Sequence, residues 1–235
     1  MDPPAAYRSV PLRLVLVRHG LSSYNLERRI QGRDDLSELS EPGFEQARLC
    51  GEALKSIGLT HSYSSPLRRA RETARQLLQS HGGATELIES DDLLEIDLAP
   101  WSGLQRDELH RHDPEGERRW REEPHRLELQ GTDGRPYNPV LDLMEQAGGF
   151  VEALLRRHAG ALEGDRQETI LVVAHNGILR CLLLRLGCRC RTPQTRERNG
   201  GRLLGRTEIQ KAPRVEMDPM PAACRHLRLH LALET

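Results

Sequence analysis

Two short apolar runs stand out along the chain, at residues 12–17 and 169–174, and a histidine follows each within two residues. Runs of this length, rich in branched side chains and without polar alternation, predict strands buried on both faces, as in a parallel sheet. Elsewhere the pattern turns helical. Phe44, Ala47, Leu49, Ala53, Leu54 and Ile57 recur at helix spacing after Glu41, and Gly58 supplies a stop. Ser65-Pro66 predicts the cap and first turn of a second helix running to about Gln79. Residues 140–162 and the stretch from His175 to Leu186 carry the same period. Weaker strand signals lie at 61–64 and 86–89.

Between these elements, residues 104–129 are highly charged, with Trp120, Leu127 and Leu129 on one face. Short surface helices are expected there, and Gly134, Pro136 and Pro139 make residues 132–139 a loop. Residues 104–139 thus read as an insertion or lid. Beyond Gly187 only Leu227, Leu229, Leu231 and Leu233 alternate cleanly, which predicts one terminal strand over 226–233. Strands alternating with helices imply an α/β fold: a three-layer α/β/α sandwich with a mostly parallel central sheet. Residues 1–187 would form one catalytic domain, with 188–235 as an atypical tail.

Composition narrows the function. A net charge of −1, from 34 basic and 35 acidic residues, gives no general attraction to nucleic acid or acidic membranes. The apolar stretches are too short for a membrane span, and the Met1-Asp2-Pro3-Pro4 start lacks the layout of a signal peptide. A cytoplasmic protein with a small-molecule partner is expected. Cys50, Cys181, Cys188, Cys190 and Cys224 are odd in number and form no CxxC pair, which argues against a disulfide scaffold and against a thiolate metal site.

In open parallel sheets ligands bind beyond the C-terminal strand ends, where His19 and His175 fall. An enzyme that moves a phosphoryl group needs a dianion grip, a nucleophile and an acid. Arg18 and an arginine from the Ser65–Ala70 segment offer planar donor forks, and the N–H groups at Asn176-Gly177 add anion affinity. No GxxxxGK[ST] loop is present, and His110-x-His112 alone does not make a metal site.

These residues carry a family resemblance. The run Leu16-Val17-Arg18-His19-Gly20 resembles the signature of the histidine phosphatase, or phosphoglycerate mutase-like, superfamily. The stretch 64–74 resembles its second-arginine segment, Leu94-Glu95-Ile96-Asp97 its acid segment, and 173–180 its second-histidine segment. In this order they cover about residues 12–187. The resemblance implies that His19 is the nucleophile and passes through a phosphohistidine. Arg18, Arg69 and His175 would hold the phosphate, Arg68 would face elsewhere, and Glu95 would serve as acid and then base. No metal or cofactor is implied, the partner is a small phosphorylated metabolite, and a homodimer is allowed. The neighbouring arginines should keep His19 neutral, as a nucleophile must be.

Further residues follow from the same resemblance. Asn25 matches a phosphate-contacting Asn of the mutase-like branches, with Ser22 and Gly32 beside it, although Asn25 can equally cap a turn. Trp101 and Tyr137 are either substrate contacts or core. Two positions depart from the pattern: Leu21 replaces a polar residue, and Asn176 replaces the usual Gly. Arg29-Ile30-Gln31-Gly32, Glu95–Leu98 and Trp101–Leu104 resemble the branch containing 2-carboxyarabinitol 1-phosphate phosphatase. A metal-independent hydrolase of small sugar or sugar-acid phosphates is therefore expected. Phosphoglycerate mutase-type transfer is the alternative, weakened because Arg118-Arg119 is not followed by the mutase's proline-rich turn. A non-catalytic binding or sensor protein on the same fold is a second alternative. The stretch 188–193 matches no family ending, and a shifted reading frame or truncation, with a disordered tail, is the expectation that accounts for it.

Overall fold

The computed structural model describes residues 12–162, 167–187 and 227–232. The chain opens with β1 (Leu12–Arg18), the short α1 (Ser23–Leu26) and α2 (Glu41–Ala53), then β2 (His61–Ser64), α3 (Arg68–His81) and β3 (Leu87–Glu89). The charged stretch forms α4 (Leu109–His112), α5 (Pro114–Glu122) and a small hairpin of β4 (Leu129–Gln130) and β5 (Pro136–Tyr137). Then come α6 (Pro139–Arg157), α7 (Ala159–Leu162), β6 (Glu168–Ala174), α8 (Asn176–Arg185) and β7 (Leu227–Ala232).

Five strands make one sheet in the order β3-β2-β6-β1-β7, and every pairing is parallel. The central pair alternates its side chains between two cores. Leu14, Leu16, Ile170 and Val172 pack with Leu143, Phe150 and Leu154 of α6 and with Ile178 and Leu182 of α8. Val15, Val17, Leu171 and Val173 pack on the opposite side with Ala74 and Leu77 of α3 and with Cys50 of α2. This two-sided burial is why neither run shows polar alternation. Each fully buried leucine-sized side chain contributes about 1.5–3 kcal/mol.

Several boundaries differ from the sequence pattern for local reasons. Helix α2 stops at Ala53, because Leu54 caps it and the next turn closes with the Ile57 N–H on Leu54 O. Helix α3 begins at Arg68 with no side-chain cap, so Ser65 does not cap it. The long helix of residues 140–162 divides at His158, whose two ring nitrogens are taken by Glu168 and Tyr63. Residues 132–139 are not loop throughout, since Asn138 caps α6 and Pro139 is its first residue.

The terminal alternation forms β7, which runs beside β1 from Leu12↔Leu227 to Val17↔Ala232 and pairs its outer edge. The stretch 188–226, on which the altered-frame expectation rests, lies outside the described residues. No helix among the described residues is long and apolar enough to cross a membrane.

Candidate active site

Because β1 and β6 are hydrogen-bonded neighbours in register from Leu12↔Glu168 to Arg18↔Ala174, their following residues emerge side by side. The His19 N–H donates to Ala174 O at 2.9 Å, and the His19 and His175 ring centroids are 5.1 Å apart. Gly20 lets the chain turn directly under α2: a Cβ there would lie 2.5 Å from Gly43 O. Its N–H donates to Thr73 Oγ1 at 3.0 Å, and the Thr73 hydroxyl donates to Arg69 O at 2.6 Å. The histidine loop is thereby fastened to the helix that carries Arg69.

Hydrogen bonding sets the form of the His19 ring. Nδ1 lies 2.8 Å from Gly20 O, and a carbonyl only accepts, so Nδ1 carries the proton and Nε2 is left with its lone pair. Burial, with help from the Arg69 and Arg18 charges, pulls the His19 pKa down to about 3. The ring is neutral across the physiological range. His175 is also neutral, held well below its ordinary pKa by burial and by the same cationic surroundings. Its Nε2 lies 2.8 Å from Ser65 Oγ, while Nδ1 is buried without a partner among the described residues. Ser65 Oγ also accepts the Leu67 N–H at 3.3 Å, which ties the His175 ring to the start of α3.

A cavity of about 510 Å³ opens in front of His19, walled by Arg18, Arg69, Glu95 and Asn176 among others. Arg69 is completely buried, its terminal nitrogens donating to Asp34 O and Gly32 O at 2.8 Å each, and its Nε has no partner among the described residues. Burial lowers its pKa only to about 10, so it remains a cation. Arg18 Nε is likewise without a partner there. Among the described residues neither guanidinium has a carboxylate in ion-pair contact, which favours an incoming anion, since a buried charge is costly until it is paired.

Glu95 is set at the start of α8. Its Oε2 accepts the Gly177 N–H at 3.1 Å, and its Oε1 accepts the Ile178 N–H at 3.2 Å and its neighbour Ile96 N–H at 2.9 Å. Oε2, with a single N–H donor, keeps a lone pair for a proton.

The other expected residues divide. Asn25 both caps and lines: its Oδ1 closes a capping box with Ser22 while the residue borders the cavity. Ser22 is a correction, for it is completely buried, bonds Asn25 Oδ1 at 2.9 Å and Gln31 Oε1 at 3.1 Å, and does not line the cavity. Gly32 lines it and anchors Arg69 through its carbonyl. Gly177 lines it too, but its N–H is given to Glu95 and is not free for phosphate. Trp101 is core and wall at once, 3% exposed, with its indole N–H on Asp113 at 3.0 Å. Tyr137 is not a lining residue, and its hydroxyl donates to Asp97 O at 3.3 Å. His175 is completely buried and is not among the residues that line the cavity, although its ring lies 5.1 Å from that of His19. Arg68 faces away, pairing with Glu38 and Glu72.

Four residues escaped the sequence reading. Ser65, which the sequence pattern predicts as a cap, is the partner of His175. Arg106, Arg121 and Arg180 border the cavity, the last one helical turn beyond Asn176, a spacing that could have revealed it.

Comparison with known proteins agrees with this geometry. The profile described as Histidine phosphatase superfamily (branch 1) matches residues 14–190. Phosphoserine phosphatase 1 of Hydrogenobacter thermophilus is 35% identical over 73% of this chain and 74% of its own. The probable 2-carboxy-D-arabinitol-1-phosphatase of Arabidopsis thaliana is 33% identical over 73% of this chain, which spans only 32% of that longer protein. Among solved structures, mycobacterial glucosyl-3-phosphoglycerate phosphatase superposes with a TM-score of 0.60 at 30% identity, covering 73% of this chain and 80% of its own. The sheet, its two histidines and these likenesses lead to one assignment: the chain belongs to the histidine phosphatase superfamily, branch 1.

Proposed function

We propose that this protein hydrolyses the phosphomonoester of a small sugar or sugar acid through a phosphohistidine on His19, in the cytoplasm and without a metal. The observation that carries the reading is the unprotonated Nε2 of His19 beside two arginines whose Nε groups have no partner among the described residues. The relatives named above, for phosphoserine, carboxyarabinitol phosphate and glucosyl-3-phosphoglycerate, support a small phosphorylated metabolite.

In the first step His19 Nε2 forms a bond to phosphorus as the ester P–O bond breaks, and Glu95 gives its proton to the departing alkoxide. Arg18 and Arg69 hold the equatorial oxygens, where charge gathers in the transition state, with the His175 ring beside them. In the second step Glu95 takes a proton from water as the oxygen attacks phosphorus. The P–N bond breaks, its electron pair returns to His19, and inorganic phosphate leaves. Asn25 adds a side-chain amide at the cavity wall.

Radiolabel from a phosphoryl donor should appear in acid-labile form on the wild type and be absent from His19→Ala. Label persisting in that variant would move the nucleophile elsewhere. Turnover is expected in EDTA and without added bisphosphoglycerate, whereas bisphosphoglycerate-stimulated isomerisation would assign a mutase instead.

A further inference from the structure

The cavity is lined by five arginines, Arg18, Arg69, Arg106, Arg121 and Arg180, against the carboxylates of Glu95 and Glu117. A phosphoryl group occupies the first two, and Glu95 is the acid. Arg121 is already matched, with its guanidinium 2.7 Å from Glu117 one turn away on α5. Arg106 and Arg180 remain, and neither makes an ion pair or side-chain hydrogen bond among the described residues. Elsewhere on this surface Arg48, Arg68, Arg118, Arg119 and Arg126 hold glutamates.

The two come from separate elements. Arg180 projects from α8, the helix that also carries Asn176 and Gly177, while Arg106 is tied to the segment after α1 by its N–H, which donates to Arg28 O. Both border the cavity that His19 faces, yet both are exposed, so they stand at its rim rather than its floor. At about 510 Å³ the cavity has room for a whole small ligand and not merely a phosphoryl group.

We propose that Arg106 and Arg180 form a second anion subsite that selects phosphomonoesters carrying a carboxylate away from the scissile phosphate. The proposal rests on the hydrolase reading above and narrows its substrate class to phosphorylated acids. A guanidinium fork pairs with a carboxylate through two parallel hydrogen bonds, and a neutral hydroxyl in its place accepts them far more weakly. These arginines do not touch the reacting atoms. They decide which alcohol arrives.

Matched substrates test this. Phosphoserine differs from phosphoethanolamine by its carboxylate, and 3-phosphoglycerate differs from glycerol 3-phosphate by a carboxylate in place of a hydroxymethyl group. The wild type should favour the acid of each pair in kcat/KM by about ten- to hundredfold, the worth of one charge-assisted interaction. In Arg106→Gln and Arg180→Gln the preference should fall towards one, chiefly through KM for the acids. A wild-type preference near one in both pairs, or variants that keep the wild-type preference, would overturn the second subsite while leaving the hydrolase intact. Absence of turnover on all four esters and on para-nitrophenyl phosphate would take down the hydrolase reading, and this proposal with it.

Discussion

The Gly177 N–H donates to the Glu95 carboxylate at 3.1 Å, and a Cβ on residue 177 would lie only 2.3 Å from Glu95 Oε1. The absence of a side chain at 177 therefore sets where the acid rests. Gly177→Ala should displace Glu95 and slow hydrolysis of alkyl phosphates by about 10²–10⁴, the usual contribution of a general acid. Para-nitrophenyl phosphate, whose leaving group needs little protonation, should lose much less. Equal losses on both substrates would show that Gly177 acts by another route. Alanine suits a helix interior better than glycine, so the variant's melting temperature provides the control for folding.

Ser65 offers a sharper contrast between two readings of one residue. As a helix cap, its loss would fray α3. As the partner of His175, with Oγ 2.8 Å from Nε2, its loss would free the ring. Ser65→Ala is expected to keep its helical circular dichroism and to lose about tenfold in kcat, one hydrogen bond's worth. Fraying of α3 with unchanged kcat per folded molecule would restore the capping role.

Acidification should expose the buried imidazoles. His19 has its pKa lowered from 6.5 to about 3, and His175 is lowered too, so between those limits the unfolded chain binds protons that the folded one refuses. Stability is then fully present above about pH 6.5 and declines as pH falls towards 3, by up to about 1.4 kcal/mol per pH unit for each such histidine. Denaturant unfolding from pH 7 to 4 should be less pH-sensitive in His19→Asn than in the wild type. The His19 ring resonances should show no protonation down to pH 5, and a midpoint near 6.5 would contradict the lowered value.

At the other end of the sheet, His158 is buried between the Glu168 carboxylate and the Tyr63 hydroxyl, the latter 3.0 Å from Nε2. Burial lowers the His158 pKa, so the ring joins Glu168 and Tyr63 as a neutral hydrogen-bonding group; removing it leaves buried polar groups short of a partner at about 1–3 kcal/mol each, so His158→Ala should melt below the wild type. Tyr63→Phe should cost about 1 kcal/mol and leave turnover unchanged. Calorimetry on the two variants checks the order, and a His158→Ala protein as stable as the wild type would show that the pair contributes little.

Much of this architecture is legible in the sequence. The two apolar runs announced β1 and β6, because burial on both faces removes the polar alternation that would otherwise blur a strand. Arg18 and His19 were readable because they directly follow such a run, and Asn176 and Gly177 because they open the helix after the other. Ser22 and Ser65 were misplaced for a common physical reason. A hydroxyl that can cap a helix can also bond across the fold, and only tertiary proximity, such as β2 lying beside β6, decides between them. Arg106 and Arg180 were obscured by a chain so rich in charge that two cations without carboxylate partners look like all the others until their neighbours are known.

Glu168, the partner of His158, opens β6 at the far end from His175, on the order of 20 Å away along a strand of seven residues. Changes at sites so far apart combine additively when they share no contacts. Laboratory evolution could therefore harden this protein against heat from below while retraining its appetite for new esters from above, with neither campaign undoing the other.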